Sequence, residues 1–204
     1  MKNYIITIDV GTTNTRAYLW DFEGKTVKNQ VYHSIGVKNT SIKGSNEELI
    51  KSLSNCLKEL ILAENISWRQ VKYIIGSGMI TSELGLKQVP HLTAPAQLKS
   101  FVLGLEKVEI PEVAPMPIWL VPGLKNSNAP VSLNNISEID IMRGEETEVL
   151  GLLSLQEVGE DCILVLPGSH TKLIRVDACG SILGCVTSLT GELLQLLTEQ
   201  SILA

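Results

Sequence analysis

The opening segment, residues 5–21, carries the strongest structural signal in the chain. An apolar run from Ile5 to Val10 delivers Asp9 to a Gly-Thr-Thr-Asn turn sequence, and a second run from Thr15 to Asp21 follows. Apolar runs of this length that are bounded by turn residues are typical of buried β-strands. The sequence therefore predicts two neighbouring strands joined by a tight turn, with Asp9 at the end of the first strand.

The turn between these strands has the composition of an anion-binding loop. Gly11 lacks a Cβ, so backbone N–H groups can approach a phosphate closely, and Thr12 and Thr13 supply hydroxyl donors. Asp9 stands where a hydrated Mg²⁺ would bridge the protein and that phosphate. An ordinary hairpin, whose Asp and Thr side chains cap its turn, is an open alternative for these residues taken alone.

Composition excludes several classes of protein. The chain has 204 residues, 44% of them hydrophobic and 19% charged, and a net charge of −5 at pH 7. We therefore expect a folded chain that binds neither nucleic acid nor a membrane surface. Its four cysteines form no Cys-x-x-Cys pair, which favours reduced thiols. Met1 directly precedes the first predicted strand, and no apolar run approaches the ~20 residues that span a bilayer, so we expect a cytoplasmic protein.

The pattern of apolar residues predicts the elements that follow the opening pair. A third strand over Thr26–Ser34 precedes a polar loop that contains Gly36 and Gly44. Asn46 is expected to cap a helix that ends near Asn65, because apolar residues recur there at helical spacing. The later elements are strand Val71–Ile75, a loop over Gly76–Ser82 that opens a helix, helix Ala94–Leu103 with Pro95 in its first turn, strand Ile118–Val121 and helix Gly144–Leu155.

The order of these elements, three strands and then alternating helices and strands, is expected of a ribonuclease-H-like lobe. We therefore predict an α/β fold in which residues 1–158 form such a lobe, with a mixed sheet and flanking helices. Three further strands, Cys162–Leu166, Lys172–Asp177 and Ser181–Thr187, echo the opening strand–turn–strand pattern. We expect residues 159–204 to begin a second, similar lobe that is incomplete.

Such an incomplete lobe would leave apolar side chains of its last segment exposed, which favours a homo-oligomer. These side chains are Leu193, Leu194, Leu196, Leu197 and Ile202.

Six segments of the sequence together resemble one family of kinases. They are Ile8–Ala17, Gly78–Ile80 with Gly85 and Pro90, Val121–Leu124, Met142–Thr147, Pro167–Lys172 and Thr190–Leu193. In this order they resemble the 2-dehydro-3-deoxygalactonokinases, sugar-acid kinases of the actin/hexokinase/Hsp70-like ATPase superfamily. The resemblance covers the whole chain but only about two thirds of a typical member. It implies ATP and Mg²⁺ as cofactors, and phosphorylation of the terminal hydroxyl of 2-dehydro-3-deoxygalactonate.

The resemblance also implies which residues handle the phosphates. Asp9 would hold Mg²⁺, directly or through water, and Gly11, Thr12 and Thr13 would bind the transferred phosphate.

An opposing clamp would consist of Gly168, Ser169, His170 and Lys172, with Lys172 as a point charge on the developing phosphate charge. Taken without the resemblance, His170 reads as a turn histidine with no ligand, and Lys172 reads as a solvated strand residue.

Two neighbouring carboxylates, Glu145 and Glu146, are candidates for the general base. Superfamily members place their base at the start of this helix, where a carboxylate accepts the substrate hydroxyl proton. The two side chains are about 100° apart on a helix, so we expect one to face inward and favour Glu145. The alternative is that both simply complement the helix dipole.

Arginines provide candidate partners for a sugar-acid carboxylate. Arg143, just before the helix, could pair with it bidentately, and Arg16 could do so or approach the transferred phosphate. Each arginine could instead form a salt bridge with a nearby Asp or Glu.

The segment Gly76–Ser82 supplies further substrate-binding candidates, Gly78 and Met79. A helix that starts there would offer free N–H groups to a carboxylate or hydroxyl of a sugar acid. A tight turn that needs small residues is the alternative. We interpret His33 and His91 as structural or exposed.

Two other functions stay open at this point. The segment Gly144–Glu146 also resembles the helix start of exopolyphosphatases, in which a carboxylate would activate water instead of a sugar hydroxyl. The chain could also be a non-catalytic fragment, because it carries no Gly-rich loop for the adenosine of ATP.

Overall fold

The computed structural model describes residues 3–22, 25–156, 159–200 and 202. The chain divides into two compact units. Unit 1 comprises Met1–Pro90 and Gly104–Pro122, and unit 2 comprises His91–Leu103 and Gly123–Ala204. The lobe boundary expected at residue 158 lies outside the described residues, and the division into lobes at that point stays a prediction.

Twelve strands and five α-helices are assigned within the described residues. In chain order the strands are β1 (Tyr4–Val10), β2 (Thr15–Asp21), β3 (Thr26–His33), β4 (Val71–Gly78), β5 (Leu92–Thr93), β6 (Glu106–Val108), β7 (Ile118–Leu120), β8 (Leu124–Lys125), β9 (Ile141–Met142), β10 (Cys162–Leu166), β11 (Thr171–Val176) and β12 (Ile182–Ser188). The helices are α1 (Val37–Lys43), α2 (Glu47–Ala63), α3 (Leu98–Leu103), α4 (Glu145–Leu155) and α5 (Thr190–Gln200).

Unit 1 is built on a six-stranded mixed sheet in the order β3-β2-β1-β4-β7-β6. β1 is antiparallel to β2 and parallel to β4. In this register Asp9 lies between Arg16 on β2 and Ser77 on β4. The predicted opening strands and the α/β class are confirmed, and Asp9 lies on a central strand of the sheet.

Helix α2 packs against one face of this sheet. Its stripe of leucines, Leu49, Leu53, Leu57 and Leu60, is fully buried in the same core cluster as strand residues such as Ile6. Burying a leucine side chain stabilises a fold by about 1.5–3 kcal/mol. The helical spacing read from the sequence therefore predicted both the helix and its buried face.

The start of α2 differs from the prediction in one respect. Asn46 occupies the N-cap position, but its side chain makes no capping hydrogen bond. Its Nδ2 donates instead to the carbonyl oxygen of Gly85, at 2.9 Å. The predicted position of the cap is confirmed, but its side chain bonds to Gly85 instead of the helix and ties the helix start to the segment after β4.

The expected polar loop with Gly36 and Gly44 contains the short helix α1. Val37 and Thr40 are its buried residues, and Gly44 ends it with φ +68°. Only two buried positions in seven residues give too weak a periodic signal to predict a helix, and Gly44 supplies the left-handed conformation that commonly terminates one.

The segment expected to be a loop that opens a helix, Gly76–Ser82, is also different. β4 continues through Gly76 to Gly78, and a single 3-10 turn, Met79–Thr81, follows. A Cβ on Gly76 would lie 3.1 Å from a side-chain atom of Leu120. The expected helix start was wrong, because pairing with β1 and β7 extends β4 through Gly76 and on to Gly78.

Unit 2 contains two three-stranded sheets, β5-β8-β9 and β10-β11-β12. The three strands predicted after residue 159 are confirmed to within one residue at each end. The helix expected from Ala94 begins only at Leu98, because Ala96 pairs its backbone with Ile182. The expectation that Pro95 lies in a helical first turn was therefore wrong, and strand pairing prevailed over local helix propensity.

The last helix, α5, has no buried residue. The exposed fraction is 53% for Leu193, 61% for Leu194, 44% for Leu196 and 51% for Leu197, and Ile202 is fully exposed. This exposure agrees with the sequence pattern, and the self-association inferred from it stays a prediction.

Candidate active site

In unit 1, the carboxylate of Asp9 lies at the end of β1 beside Arg16. Arg16 Nη1 donates to Asp9 Oδ2 at 3.2 Å, and both side chains are nearly half exposed. An ion pair exposed to this degree contributes little to stability, about 0–1 kcal/mol. Arg16 therefore forms the salt bridge that was the alternative to a ligand-binding role, and the exposed pair is accessible to a ligand.

The neighbouring strand approaches this carboxylate through Gly78. Gly78 has φ +78°, and a Cβ there would lie 2.6 Å from the carbonyl oxygen of Val10 and 2.9 Å from Asp9 Oδ1. Only glycine combines this backbone conformation with so close an approach. The structure thus brings together Asp9 and Gly78, whereas Met79 packs partly against the core.

The turn after β1 is closed by its own backbone and supported by α1. Gly11 N–H donates to the carbonyl oxygen of Asn14 at 2.8 Å. The first amides of α1, at Val37 and Lys38, donate to the carbonyl oxygens of Gly11 and Thr12. This support fixes the backbone of the turn from one side.

Gly36 makes that support sterically possible. A Cβ on Gly36 would lie 2.5 Å from the carbonyl oxygens of both Gly11 and Thr12. Thr12 and Thr13 remain exposed at the tip of the turn. The hairpin therefore presents two hydroxyl groups on a braced backbone next to Asp9.

In unit 2, the carboxylates at the start of α4 fold back on the preceding backbone. Glu145 Oε2 accepts from the Arg143 N–H at 2.9 Å, and both carboxylate oxygens of Glu146 accept from the Gly144 N–H at 2.8 Å. Gly144 has φ +117°, a conformation that favours glycine. This bend lets both glutamates reach backbone amides.

Burial separates the two glutamates. Glu146 is fully buried, whereas Glu145 is only partly buried. Burial raises the pKa of Glu146 to about 7, an effect that its backbone hydrogen bonds partly oppose. The preference for Glu145 as the inward-facing carboxylate was wrong, because the bend at Gly144 turns Glu146 inward.

Arg143 lies against a histidine that the sequence analysis interpreted as structural or exposed. Its Nη2 atom is 3.0 Å from Nε2 and 3.2 Å from Nδ1 of His91. Burial, with smaller contributions from Arg143 and Lys125, lowers the pKa of His91 to about 4. Because a neutral imidazole does not repel the guanidinium, His91 can orient Arg143.

The packing around His91 depends on Gly123. A Cβ on Gly123 would lie 2.7 Å from His91 Cδ2 and 2.6 Å from the carbonyl oxygen of Met142. No sequence spacing signals this arrangement, since His91 and Arg143 are 52 residues apart. The sequence signal that came nearest to this arrangement was Gly123, in the segment Val121–Leu124 that resembles the family.

The turn that contains Gly168, Ser169 and His170 is exposed and packs against the start of α5. The Glu192 N–H donates to the carbonyl oxygen of Ser169, and His170 Nε2 lies 2.8 Å from Glu192 Oε2. A Cβ on Gly191 would lie 2.3 Å from the carbonyl oxygen of Gly168. The turn is therefore held to α5, with His170 paired at the surface.

Lys172 has a different environment from either one that the sequence suggested. It is 7% exposed, so the solvated alternative was wrong. Its Nζ donates at 2.6 Å to the carbonyl oxygen of Ile141 and at 2.6 Å to Thr187 Oγ1. Its role as a phosphate ligand stays a prediction that this arrangement does not favour.

A family model described as 2-keto-3-deoxy-galactonokinase matches residues 9–204. The chain belongs to the 2-keto-3-deoxy-galactonokinase family. The matched range begins at Asp9 and includes all of the candidate site residues of both units. The family recognised in the sequence is thereby confirmed.

Three solved structures resemble this family member in fold. One, from Sinorhizobium meliloti, is described as a "putative 2-dehydro-3-deoxygalactonokinase protein" and is 22% identical with a TM-score of 0.75 over 98% of this chain and 59% of that one. The Aquifex aeolicus Ppx/GppA phosphatase, type II variant, is 12% identical with a TM-score of 0.51 over 96% of this chain and 55% of that one. A reductive activator for a corrinoid, iron-sulfur protein is 12% identical with a TM-score of 0.52 over 91% of this chain and 30% of that one.

These likenesses establish the fold and confirm the α/β architecture. The chain spans about three fifths of the length of the Sinorhizobium meliloti protein. No curated protein matches it. Within the described residues, no helix is both long and apolar enough to cross a membrane, and no group of three or more His, Cys, Asp or Glu side chains could hold a metal ion.

Proposed function

We propose that the protein containing this chain is an ATP-dependent kinase that phosphorylates the terminal hydroxyl of 2-dehydro-3-deoxygalactonate. The observation that carries the proposal is the carboxylate of Glu146, which is buried at the start of α4 beside Arg143 and has a pKa of about 7. A general base works best with a pKa near the working pH. Membership of the 2-keto-3-deoxy-galactonokinase family supports this choice of substrate.

The hairpin of unit 1 is assigned to the phosphates of ATP. The exposed hydroxyls of Thr12 and Thr13 would donate to phosphate oxygens. Gly11, whose own N–H is bonded to Asn14, would let a phosphate approach closely because it has no Cβ. Asp9 fits a Mg²⁺ site, since this ion is commonly held by one or two carboxylates together with phosphate oxygens and water. When bound, Mg²⁺ neutralises charge on the phosphates.

Glu146 is assigned the role of general base, which accepts the proton of the reacting hydroxyl. As the hydroxyl oxygen bonds to the γ-phosphorus, the proton moves to a Glu146 carboxylate oxygen and the bond from the γ-phosphorus to the bridging oxygen of ADP breaks. The hydrogen bond from Gly144 keeps the carboxylate oriented. The gain comes from positioning and charge stabilisation, as in phosphoryl transfer generally.

The guanidinium groups are assigned to the anionic parts of the substrates. Arg143 is half-buried and is held against neutral His91, so it can pair bidentately with the sugar-acid carboxylate. Arg16, beside Asp9, is assigned to the sugar acid or the transferred phosphate. Gly78 and Met79 are retained as substrate contacts through their backbone groups.

A second set of phosphate contacts is assigned to the exposed turn of unit 2. Gly168 and Ser169 lie on this turn, and His170 is held by Glu192. Neutral donors on such a turn can bind a phosphate oxygen. Lys172 is not assigned to a phosphate, since its ammonium already has protein acceptors.

The test is ADP release by the purified full-length protein, measured with MgATP alone and with 2-dehydro-3-deoxygalactonate or 2-dehydro-3-deoxygluconate. We expect strict dependence on the sugar acid and a phosphate monoester at the terminal carbon, identified by ³¹P NMR. Phosphate release from ATP or polyphosphate without any sugar acid would support the exopolyphosphatase-like alternative. Absence of both activities would support the non-catalytic alternative.

A further inference from the structure

We propose that Lys172 is a positioning residue that holds strand β9, and through it the Arg143–Glu146 segment, in place. The inference rests on the function proposed for that segment. It assigns Lys172 to the architecture of the site and not to a phosphate.

The ammonium of Lys172 is enclosed by protein acceptors. Its Nζ donates to the carbonyl oxygen of Ile141 on β9 and to Thr187 Oγ1 on β12, both at 2.6 Å. Asp140 Oδ1 lies 3.8 Å away and balances the charge. A buried ammonium needs such partners, because removing it from water is otherwise costly.

The partners of Lys172 are themselves fixed by hydrogen bonds. Asp140 accepts from the N–H of Thr187 at 2.6 Å and from its Oγ1 at 2.8 Å. Lys172 and Thr187 are cross-strand neighbours in the register of β11 and β12. The three side chains Lys172, Asp140 and Thr187, here called the lysine network, therefore form one connected unit.

Asn126 provides an independent link between the same parts of unit 2. Its Oδ1 accepts from the Cys185 N–H and its Nδ2 donates to the Cys185 carbonyl oxygen, both at 2.8 Å. The backbone N–H of Asn126 donates to the Asp140 carbonyl oxygen at 2.9 Å. A Cβ on Gly184 would lie 2.9 Å from Asn126 Oδ1, so glycine makes room for this link.

The backbone path from the lysine network to the candidate base is short. Ile141 is followed by buried Met142, and then by Arg143 and Gly144, whose amides hold Glu145 and Glu146. A displacement of Ile141 is therefore passed directly along the backbone to Arg143 and Glu146. Displacements of this kind impair catalysis even where the reacting groups are intact.

The kinetic test compares Lys172→Met, Lys172→Arg, Thr187→Val and Thr187→Ser in the full-length protein, with Lys107→Met as the control for an exposed lysine. We expect Lys172→Met and Thr187→Val each to lower kcat at least tenfold while KM for MgATP changes less than twofold. Their double variant should be little worse than either, because both break one network. Thr187→Ser, which keeps the hydroxyl, should retain most activity.

Two outcomes of that comparison contradict the proposal. If Lys172 binds a phosphate, Lys172→Met will raise KM for MgATP strongly, whereas Thr187→Val will have little effect. If Lys172 is purely structural, its replacement will reduce only the amount of folded protein. In that case kcat per folded molecule will be unchanged in Lys172→Arg, Lys172→Met and Thr187→Val alike.

A second measurement separates this proposal from the proposed function. Amide hydrogen exchange of Arg143 and Gly144 is read by NMR in the wild type, Lys172→Met and Lys107→Met, with no substrate present. We expect Lys172→Met to speed exchange at these two amides at least tenfold and to leave unit 1 unchanged. Unchanged exchange there would overturn the positioning role even if the protein is a kinase, and faster exchange would support it even if the protein is not.

Discussion

Arg143 and His91, 52 residues apart in the chain, are in direct contact: Arg143 Nη2 lies 3.0 Å from His91 Nε2. The histidine stays neutral at physiological pH because burial lowers its pKa to about 4. A neutral ring can lie beside a guanidinium without charge repulsion. The contact therefore gives Arg143 a fixed direction from which to meet an anionic substrate.

Replacing His91 should impair binding of the sugar acid and not of ATP. In His91→Ala the guanidinium of Arg143 loses its neighbour, and we expect KM for the sugar acid to rise about tenfold, as for the loss of one hydrogen bond to a charged group. His33→Ala, at a histidine of unit 1, is the control. Steady-state kinetics with each substrate varied in turn is the measurement. An equal rise in KM for MgATP would contradict the assignment.

Replacing the two glutamates should separate the base from its neighbour. Glu146→Gln should lower kcat about 10²–10⁴-fold, the usual range for losing a general base. Glu145→Gln should lower it only a few-fold, because the partly buried Glu145 only caps the Arg143 amide. The kcat of the wild type should rise with pH through about 7, where Glu146 loses its proton. If Glu145→Gln proves the more damaging change, the assignment of the base is wrong.

The stability of unit 2 should depend on pH through Glu146 and His91, with opposite signs. The folded state holds the Glu146 proton up to a pKa of about 7, so this group lowers the free energy of unfolding as pH rises from about 4.5 to 7. The pKa of His91 falls to about 4, so this group raises the free energy of unfolding as pH rises from about 4 to 6.5. The two contributions partly cancel in the wild type.

Single variants should expose each contribution. Through Glu146 the free energy of unfolding of the wild type should fall by up to about 3 kcal/mol between pH 4.5 and 8, and Glu146→Gln should lack this fall. Through His91 the free energy of unfolding of the wild type should fall between pH 6.5 and 4, and His91→Asn should lack that fall. All three tryptophans, Trp20, Trp68 and Trp119, lie in unit 1. Hydrogen exchange of the β11 amides is therefore the suitable measurement, and a pH dependence unchanged by either variant would refute the burial argument.

Gly78→Ala should destabilise unit 1 more than a matched glycine substitution. Both Gly78 and Gly44 have positive φ, but a Cβ meets Val10 at 2.6 Å only at Gly78, and meets nothing within 4 Å at Gly44. We expect a loss of about 1 kcal/mol for Gly44→Ala and about 2–4 kcal/mol for Gly78→Ala. Urea unfolding followed by tryptophan fluorescence measures both, and equal losses would show that the close approach to Asp9 is unimportant.

Removing the charge of Asp9 should abolish the magnesium dependence of nucleotide binding. Asp9→Asn keeps the shape of the side chain but removes the anionic ligand that Mg²⁺ prefers. Calorimetry with ATP should show at least tenfold weaker binding in the presence of Mg²⁺ and little change in its absence. Asp21→Asn, at the far end of the same hairpin, is the control, and a similar loss in both would refute the metal site.

Local sequence patterns were sufficient for much of the fold. The apolar runs of β1 and β2, the leucine stripe of α2 and the three strands after residue 159 follow from alternation or helical spacing, because burial of one face dictates the residue type at each position. The family resemblance was carried by other segments as well, such as Met142–Thr147 and Pro167–Lys172. Asp9, Arg143 and the glutamate pair were recognisable as chemistry-bearing residues from the sequence alone.

The arrangement of the site depended on contacts that no local pattern encodes. Whether Glu145 or Glu146 is buried was fixed by the bend at Gly144, and the contact of His91 with Arg143 by the packing around Gly123. Lys172 looked like a surface or phosphate-binding lysine, and its neighbours Ile141 and Thr187 come from other strands. Side-chain burial and hydrogen-bond partners arise from pairing between distant segments, so they emerge only once the chain has folded.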